Sequence, residues 1–190
     1  MPGIRRRAFP LVTAAFAIPT AILVAAALGE GSAASANPSN RTQVMATPVT
    51  ARMLLPGVGI ERGLQVDTIL AERAISARFP EIKNIGGVRP DTMKWHPEGL
   101  AIDVVIPDYR TPAGKALGDR VMKFAFQNAD RFGLVHVIWQ QTYYPIGGKP
   151  HLMPNLGSDD ANHHTHVHIA TKGGGYPNGS ETYVGWLIFR

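Results

Sequence analysis

The 190-residue sequence contains no cysteine, and only 17% of its residues are charged. Without cysteine there can be no disulfide scaffold and no cysteine-rich structural zinc finger, so any metal site must use His, Asp or Glu. The sequence combines this low charged fraction with 45% hydrophobic residues, which is typical of a globular chain with one well-packed domain. The composition therefore favours a folded domain in which a metal site would be of the catalytic kind.

The positive charges follow no pattern along the chain. The formal net charge is +5, and it falls to +3 without residues 1–36, which carry three Arg and one Glu. Aromatic residues do not alternate with the basic ones, so we expect no nucleic-acid partner. A mildly basic domain suits the anionic polymers of a cell envelope, while plain solubility charge accounts for most of these residues.

The N-terminal segment has the organisation of an export signal. Residues 5–7 are three arginines, residues 8–28 carry no charge, and residues 34–36, Ala-Ser-Ala, resemble a cleavage site. We predict a signal peptide over residues 1–36. A retained membrane anchor is the alternative, because the uncharged stretch is long enough to span a bilayer. Both interpretations place the rest of the chain outside the cytoplasm, secreted or in the cell envelope.

The remaining chain divides into a predicted linker and a predicted domain. Residues 37–60 are rich in Asn, Pro, Ser and Thr and show little periodicity, which indicates a linker, and residues 61–190 form the domain. Apolar residues recur at helical spacing over residues 64–79, which predicts a first helix. Thr111 followed by Pro112 predicts the start of a second helix.

The second half of the domain mixes regular and irregular patterns. We expect the second helix to bury a stripe that extends to Phe132 before Gly133 ends it. Residues 135–139 alternate as a strand, with His136 packed or hydrogen-bonded rather than a ligand. Residues 140–163 show neither helical nor strand periodicity, which predicts a loop. This loop either shapes a substrate cleft or lies on the surface without a role in the site.

Two short segments carry the residue types of a metal site. His96 and Asp103 are separated by six residues, and Asp103 interrupts an apolar run, where a carboxylate must be paired or coordinated. His166 and His168 alternate, so on a strand their side chains point to the same face. Two histidines and one aspartate match the ligand number of a catalytic zinc. The alternative is a loop histidine, a turn or capping aspartate and a surface histidine tract.

The sequence around these residues resembles a group of zinc peptidases that includes D-Ala-D-Ala carboxypeptidases, lysostaphin-type endopeptidases and the hedgehog fold. Residues 96–103 are similar to the group's His-x-x-Gly-x-Ala-x-Asp segment, and residues 161–168 supply the later histidines. Residues 86–91 and 137–141 resemble an actinobacterial family of exported proteins with a D-Ala-D-Ala carboxypeptidase-like C-terminal domain. The resemblance covers roughly residues 64–175, most of the predicted domain. It implies an α+β fold with a small, mainly antiparallel sheet, helices packed on one side, and a hedgehog-like architecture.

The resemblance also implies roles for individual residues. His96, Asp103 and His168 would bind Zn²⁺, and His166 would lie beside the metal as a catalytic or orienting group. Arg89 would contact the substrate or the charge that develops on it. The structural alternative for Arg89 is an ion pair with a neighbour such as Asp91.

One departure from the group bears directly on activity. The carboxypeptidases carry an acidic general base three residues before the last ligand, and Thr165 stands at that position. The base would then come from His166 or from Glu98, or catalysis would be lost. We therefore expect an exported zinc-dependent hydrolase of peptidoglycan stem peptides. An inactive cell-wall peptide-binding module is the alternative, and a metal-buffering protein that uses His151, His163 and His164 is a third hypothesis.

Overall fold

The structure, a computed structural model, describes residues 50–187. Two helices and eight strands lie in this range, and their bounds follow in chain order. They are β1 (Thr50–Met53), α1 (Val66–Arg78), β2 (Ile85–Gly86), β3 (Ala101–Val105), α2 (Pro112–Gln127), β4 (Leu134–Trp139), β5 (Thr142–Pro145), β6 (His151–Leu152), β7 (His166–Thr171) and β8 (Val184–Leu187). The described part is thus a mixed helix and strand fold.

Six of the strands form one sheet, in the order β2-β3-β7-β4-β5-β6. Every pairing in this sheet is antiparallel, and β1 pairs with β8 in a separate antiparallel ribbon. The predicted mainly antiparallel sheet is confirmed. The strand that carries His166 and His168 lies at its centre, between β3 and β4.

The two faces of the six-stranded sheet differ in chemistry. Ile102, Ile169 and Val137 are register partners across three strands and lie on the side that we call the helix face. Asp103 and His168 are register partners one position along, so they lie on the opposite side, the site face. The helix face packs against apolar side chains of α1 and α2, which include Ile69, Ile75, Leu117, Val121 and Ala125.

Both predicted helices form, but the second one ends early. Thr111 caps α2 as expected, since its Oγ1 accepts a hydrogen bond from the backbone N–H of Gly114 at 3.0 Å. The helix ends at Gln127, because Asn128 donates from its side chain to the carbonyl of Phe124 and turns the chain. Phe132 is buried, as predicted, but lies in the turns after the helix rather than in it.

The segment predicted as an irregular loop, residues 140–163, contains two strands, β5 and β6. A two-residue turn joins β4 to β5, with Trp139 paired to Thr142. Its residues, Gln140 and Gln141, have positive φ angles of 50° and 59°. Such turns are usually marked by Gly or Asn, so two glutamines gave no signal in the sequence.

Part of the segment predicted as a linker packs with the domain. Within residues 37–60, β1 pairs with β8, and Leu54 is buried with its N–H bonded to the carbonyl of Tyr183 at 2.8 Å. The predicted signal peptide, residues 1–36, lies outside the described residues. Neither α1 nor α2 has the length and apolar character needed to cross a bilayer.

Candidate metal centre

The structure brings His96, Asp103 and His168 together on the site face. One ligand atom from each lies within 4.8 Å of the other two, and all three residues are buried. Asp103 on β3 stands opposite His168 on β7, so the sheet register itself sets this pair side by side. His168 Nδ1 lies 2.9 Å from Asp103 Oδ1, and His96 Nε2 lies 3.2 Å from His168 Nδ1 and 3.3 Å from Asp103 Oδ2.

The backbone orients the His96 ring for ligation. His96 Nδ1 lies 2.9 Å from the carbonyl oxygen of Gly87. A carbonyl oxygen only accepts, so Nδ1 must carry the hydrogen and donate it. In the neutral ring the lone pair is then on Nε2, the atom that points at Asp103 and His168. A backbone carbonyl that fixes the tautomer of a histidine is a common support of metal ligands.

The Asp103 side chain is held as a carboxylate despite its burial. Burial alone would raise its pKa, but the hydrogen bond from His168 and the neighbouring rings of His96 and His166 hold the pKa well below the ordinary value. Arg89 adds a hydrogen bond from Nη2 to Asp103 Oδ2 at 2.7 Å. One carboxylate and two imidazole nitrogens that face a common point form a donor set that suits Zn²⁺.

Arg89 links the donor group, formed by His96, Asp103 and His168, to solvent. Its Nη1 donates to Asp91 Oδ2 at 2.6 Å, which is the ion pair considered as the structural alternative, while its Nη2 reaches Asp103. The side chain remains 46% exposed. It therefore supports a ligand carboxylate from outside while keeping a surface towards the neighbouring cavity.

His166 lies on the same strand and the same face as His168. Its Nε2 is buried, 3.6 Å from Asp103 Oδ1, and has no hydrogen-bond partner within residues 50–187. Burial lowers the pKa of His166, with Asp103 and Asp160 opposing the shift. A free ring nitrogen beside the three donors can take or give a proton there.

The centre borders a cavity of about 300 Å³. The cavity wall combines charged, polar and apolar side chains: Asn84, Gly86, Arg89, Asp103, Val105, Asp160, Thr165 and His166. Asp160 is the one carboxylate of this wall that sequence reasoning missed. It comes from the segment before β7, and no spacing rule connects it to the ligands, so only the course of the chain reveals it.

The other histidines near the centre do not join the donor group. The ring of His136 packs between Trp95 and Tyr143, each 4.7 Å away by ring centroids, as the packing prediction stated. Burial lowers the pKa of His136 to about 3 and that of His163 to about 4. His163 lies against His166 at 4.9 Å. Among the described residues, the group that could hold a metal ion therefore consists of three side chains rather than a larger histidine cluster.

These features define a mixed helix and strand domain with a buried His-His-Asp donor group on one face of an antiparallel sheet. The chain matches the family model described as VldE, C-terminal domain, over residues 60–164. Because the match covers more than half of the chain, the protein belongs to this family. The matched range contains Arg89, His96, Asp103 and Asp160 and stops just before β7. No significant match to the chain was found among curated proteins or among solved structures.

Proposed function

We propose that this protein is a zinc-dependent hydrolase that cleaves peptide bonds in peptidoglycan stem peptides. The observation that carries the proposal is the convergence of His96, Asp103 and His168 at the edge of a polar cavity. Three protein ligands of this kind, with room for a further ligand, are the usual composition of a catalytic zinc site. A structural zinc site would more often use four ligands, commonly cysteines.

His96, Asp103 and His168 would hold the zinc ion. Bound zinc supplies Lewis acidity, which polarises a carbonyl group and lowers the pKa of water towards about 7. The Gly87 carbonyl and the Arg89 guanidinium keep two of these ligands, His96 and Asp103, in their ligating forms. The donor group needs little rearrangement to receive a cation, since its ligand atoms already face one another.

His166 and Arg89 provide the acid–base and electrostatic functions in this proposal. His166 Nε2 faces the donor group with no partner among the described residues, so it accepts the proton released when the nucleophile is formed. Arg89 lines the same cavity and stays charged at any physiological pH, so it stabilises negative charge that develops on the substrate. Neither role requires an acid at position 165.

The substrate class and the location rest on the resemblance of residues 86–103 and 161–168 to zinc peptidases of cell walls. The antiparallel sheet with two helices on one face agrees with the hedgehog-like architecture of that group, which is part of the proposal. Export to the cell envelope rests on the composition of residues 1–36. An extracytoplasmic enzyme of this kind meets its polymeric substrate directly.

Hydrolysis is tested with the purified full-length chain and defined peptidoglycan fragments. After reconstitution with ZnCl₂, we expect one tightly held zinc ion per chain and the release of stem-peptide products detected by mass spectrometry. Products should disappear with a chelator and with His168→Ala. His151→Ala is the matched control, because His151 is exposed and lies outside the donor group.

The same experiment tests the second candidate, a cell-wall peptide-binding module without catalysis. Thr165 at the position of the expected acid favours this alternative. Retention of fragments by the zinc-loaded chain with no cleaved product would contradict hydrolysis and support binding. Several loosely held zinc ions per chain, with neither binding nor cleavage, would instead support a metal buffer.

A further inference from the structure

A chain of hydrogen bonds runs from His166 away from the metal centre and ends at a carboxylate. His166 Nδ1 lies 2.9 Å from Thr165 Oγ1, and Thr165 Oγ1 lies 2.8 Å from Asp160 Oδ1. Asp160 Oδ1 is also 3.5 Å from His166 Nδ1. All three side chains line the cavity beside the donor group.

Counting donors and acceptors fixes the direction of this chain. A carboxylate only accepts, so the hydroxyl of Thr165 donates its one hydrogen to Asp160. Towards His166 the same oxygen must then accept, which requires a hydrogen on His166 Nδ1. In the neutral ring, Nε2 is consequently the unprotonated nitrogen, and Nε2 is the atom that faces Asp103 at 3.6 Å.

We propose that Asp160 is a positioning residue that acts through Thr165: it keeps the His166 hydrogen on Nδ1, so that the ring presents the Nε2 lone pair to the metal centre. This inference rests on the proposed function for the step that uses Nε2. It assigns a use to the position where zinc carboxypeptidases carry an acid. Thr165 relays the influence of a carboxylate from the segment that directly precedes β7.

The segment that carries Asp160 is held in place by its own hydrogen bonds. Asn162 is buried, and its side chain accepts from the N–H of Leu156 at 2.7 Å and donates to Asn155 at 2.8 Å. The N–H of His163 donates to the Asp160 carbonyl at 2.9 Å. The Asp160 side chain itself is 81% exposed. Its replacement should therefore alter the hydrogen-bond chain without unfolding the domain.

The tautomer of His166 is measured directly by ¹⁵N NMR of the zinc-free full-length chain labelled at histidine. His166→Gln identifies the His166 signals. In the wild type we expect Nδ1 to have the chemical shift of a protonated nitrogen and Nε2 that of an unprotonated one. Asp160→Ala frees the Thr165 hydrogen to point at Nδ1, so we expect the His166 signals to move towards the opposite tautomer. Thr165→Val should shift the signals less, because Asp160 stays 3.5 Å from Nδ1 and no hydroxyl can donate to that nitrogen.

Two conservative variants and one control sharpen this test. Asp160→Asn keeps an acceptor oxygen, and Thr165→Ser keeps the hydroxyl, so both should retain the wild-type tautomer. Asp159→Ala is the matched control, because Asp159 binds Tyr109 and Arg110 rather than His166. Zinc affinity should be the same in all of these variants, since neither Asp160 nor Thr165 contacts a donor of the metal centre.

Kinetics on peptidoglycan fragments provide the second readout. We expect Asp160→Ala to lower kcat by about 10–100-fold, the usual effect of removing a supporting contact around a metal site, with little change in KM. A residue with only a structural role would instead change zinc affinity or thermal stability. Rescue by Asp160→Asn and Thr165→Ser should follow the tautomer.

The two readouts keep this inference separate from the proposed function. If the wild type cleaves nothing while Asp160→Ala shifts the tautomer, the proposed hydrolysis fails and the positioning role of Asp160 stands. If Asp160→Ala leaves the His166 signals as in the wild type, the inference is overturned, whatever the activity.

Discussion

Within residues 50–187, two carboxylates are buried, and their surroundings are opposite. Asp103 lies on the site face, accepts a hydrogen bond from Arg89, and has its pKa held below the ordinary value by the nearby rings of His168, His96 and His166. Glu72 lies on α1, fully buried, and burial raises its pKa against the hydrogen bonds from Gly59 and Ser76. The difference shows that burial alone does not make a carboxylate a candidate cation ligand, because only Asp103 is surrounded by ligating and cationic partners.

Of the variants that test this difference between Asp103 and Glu72, Asp103→Asn should have the largest effect, a loss of zinc affinity. Removal of the carboxylate takes away the charged ligand, so zinc affinity should fall by more than about 100-fold, beyond the loss caused by supporting contacts alone. Competition titration with a chromophoric chelator measures the change. Glu72→Gln is the matched control and should bind zinc like the wild type. Equal losses in the two variants would mean that Asp103 acts on folding rather than as a ligand.

Arg89→Ala should give the next largest effect. The guanidinium holds Asp103 Oδ2 at 2.7 Å without being a ligand, so we expect zinc affinity to fall by about 10–100-fold. Arg120→Ala is a control for the loss of one positive charge, because Arg120 pairs with Glu81 away from the metal centre. An unchanged zinc affinity in Arg89→Ala would show that the ligand carboxylate is held well enough by the two histidines.

Glu72→Gln should change the pH dependence of stability. Because the folded pKa of Glu72 is raised, its contribution to stability is fully present below the unfolded value of 4.5 and is lost as pH rises through the folded pKa. The amide cannot ionise, so near pH 8 the variant should gain about 1 kcal/mol in free energy of unfolding. Urea unfolding at pH 5 and pH 8 measures this gain. A variant with the pH profile of the wild type would contradict it.

The smallest effect should come from an exposed carboxylate. Glu81 accepts a hydrogen bond from Arg120 at 3.3 Å, and the two side chains are 49% and 54% exposed. Glu81→Gln should therefore change the free energy of unfolding by less than about 0.5 kcal/mol, and the change should shrink further in salt. Urea unfolding at two salt concentrations measures it. A loss of stability as large as that caused by removing a buried charged partner would mean that solvent does not screen this ion pair.

The helices and the central strands could be predicted from the sequence because their patterns are local. Apolar periodicity gave α1, Thr111 with Pro112 gave the start of α2, and alternation placed His166 and His168 on one face. The ligand types and their strand context also brought His96 and Asp103 forward as candidates. Each of these signals lies within a few residues of the feature that it predicts.

What the sequence could not indicate depends on contacts between distant segments. The hairpin of β4 and β5 turns on Gln140 and Gln141, whose positive φ angles are imposed by strand pairing rather than by residue type. Likewise, β1 forms because β8 supplies a partner more than a hundred residues later. Asp160 reaches His166 only through the fold of residues 155–163. The orienting group on His96 is a backbone carbonyl, which no side-chain pattern encodes.

The position of β7 sets an order of events during synthesis. Among the strands of residues 50–187 this one is the next to last, yet it occupies the middle of the sheet, where it carries the third side chain of the candidate metal centre. His168 follows Asp103 by 65 residues and His96 by 72, so a nascent chain that has reached only β3 offers two donors. Two donors retain a divalent ion poorly. Ion capture by this candidate site would therefore follow the emergence and insertion of β7.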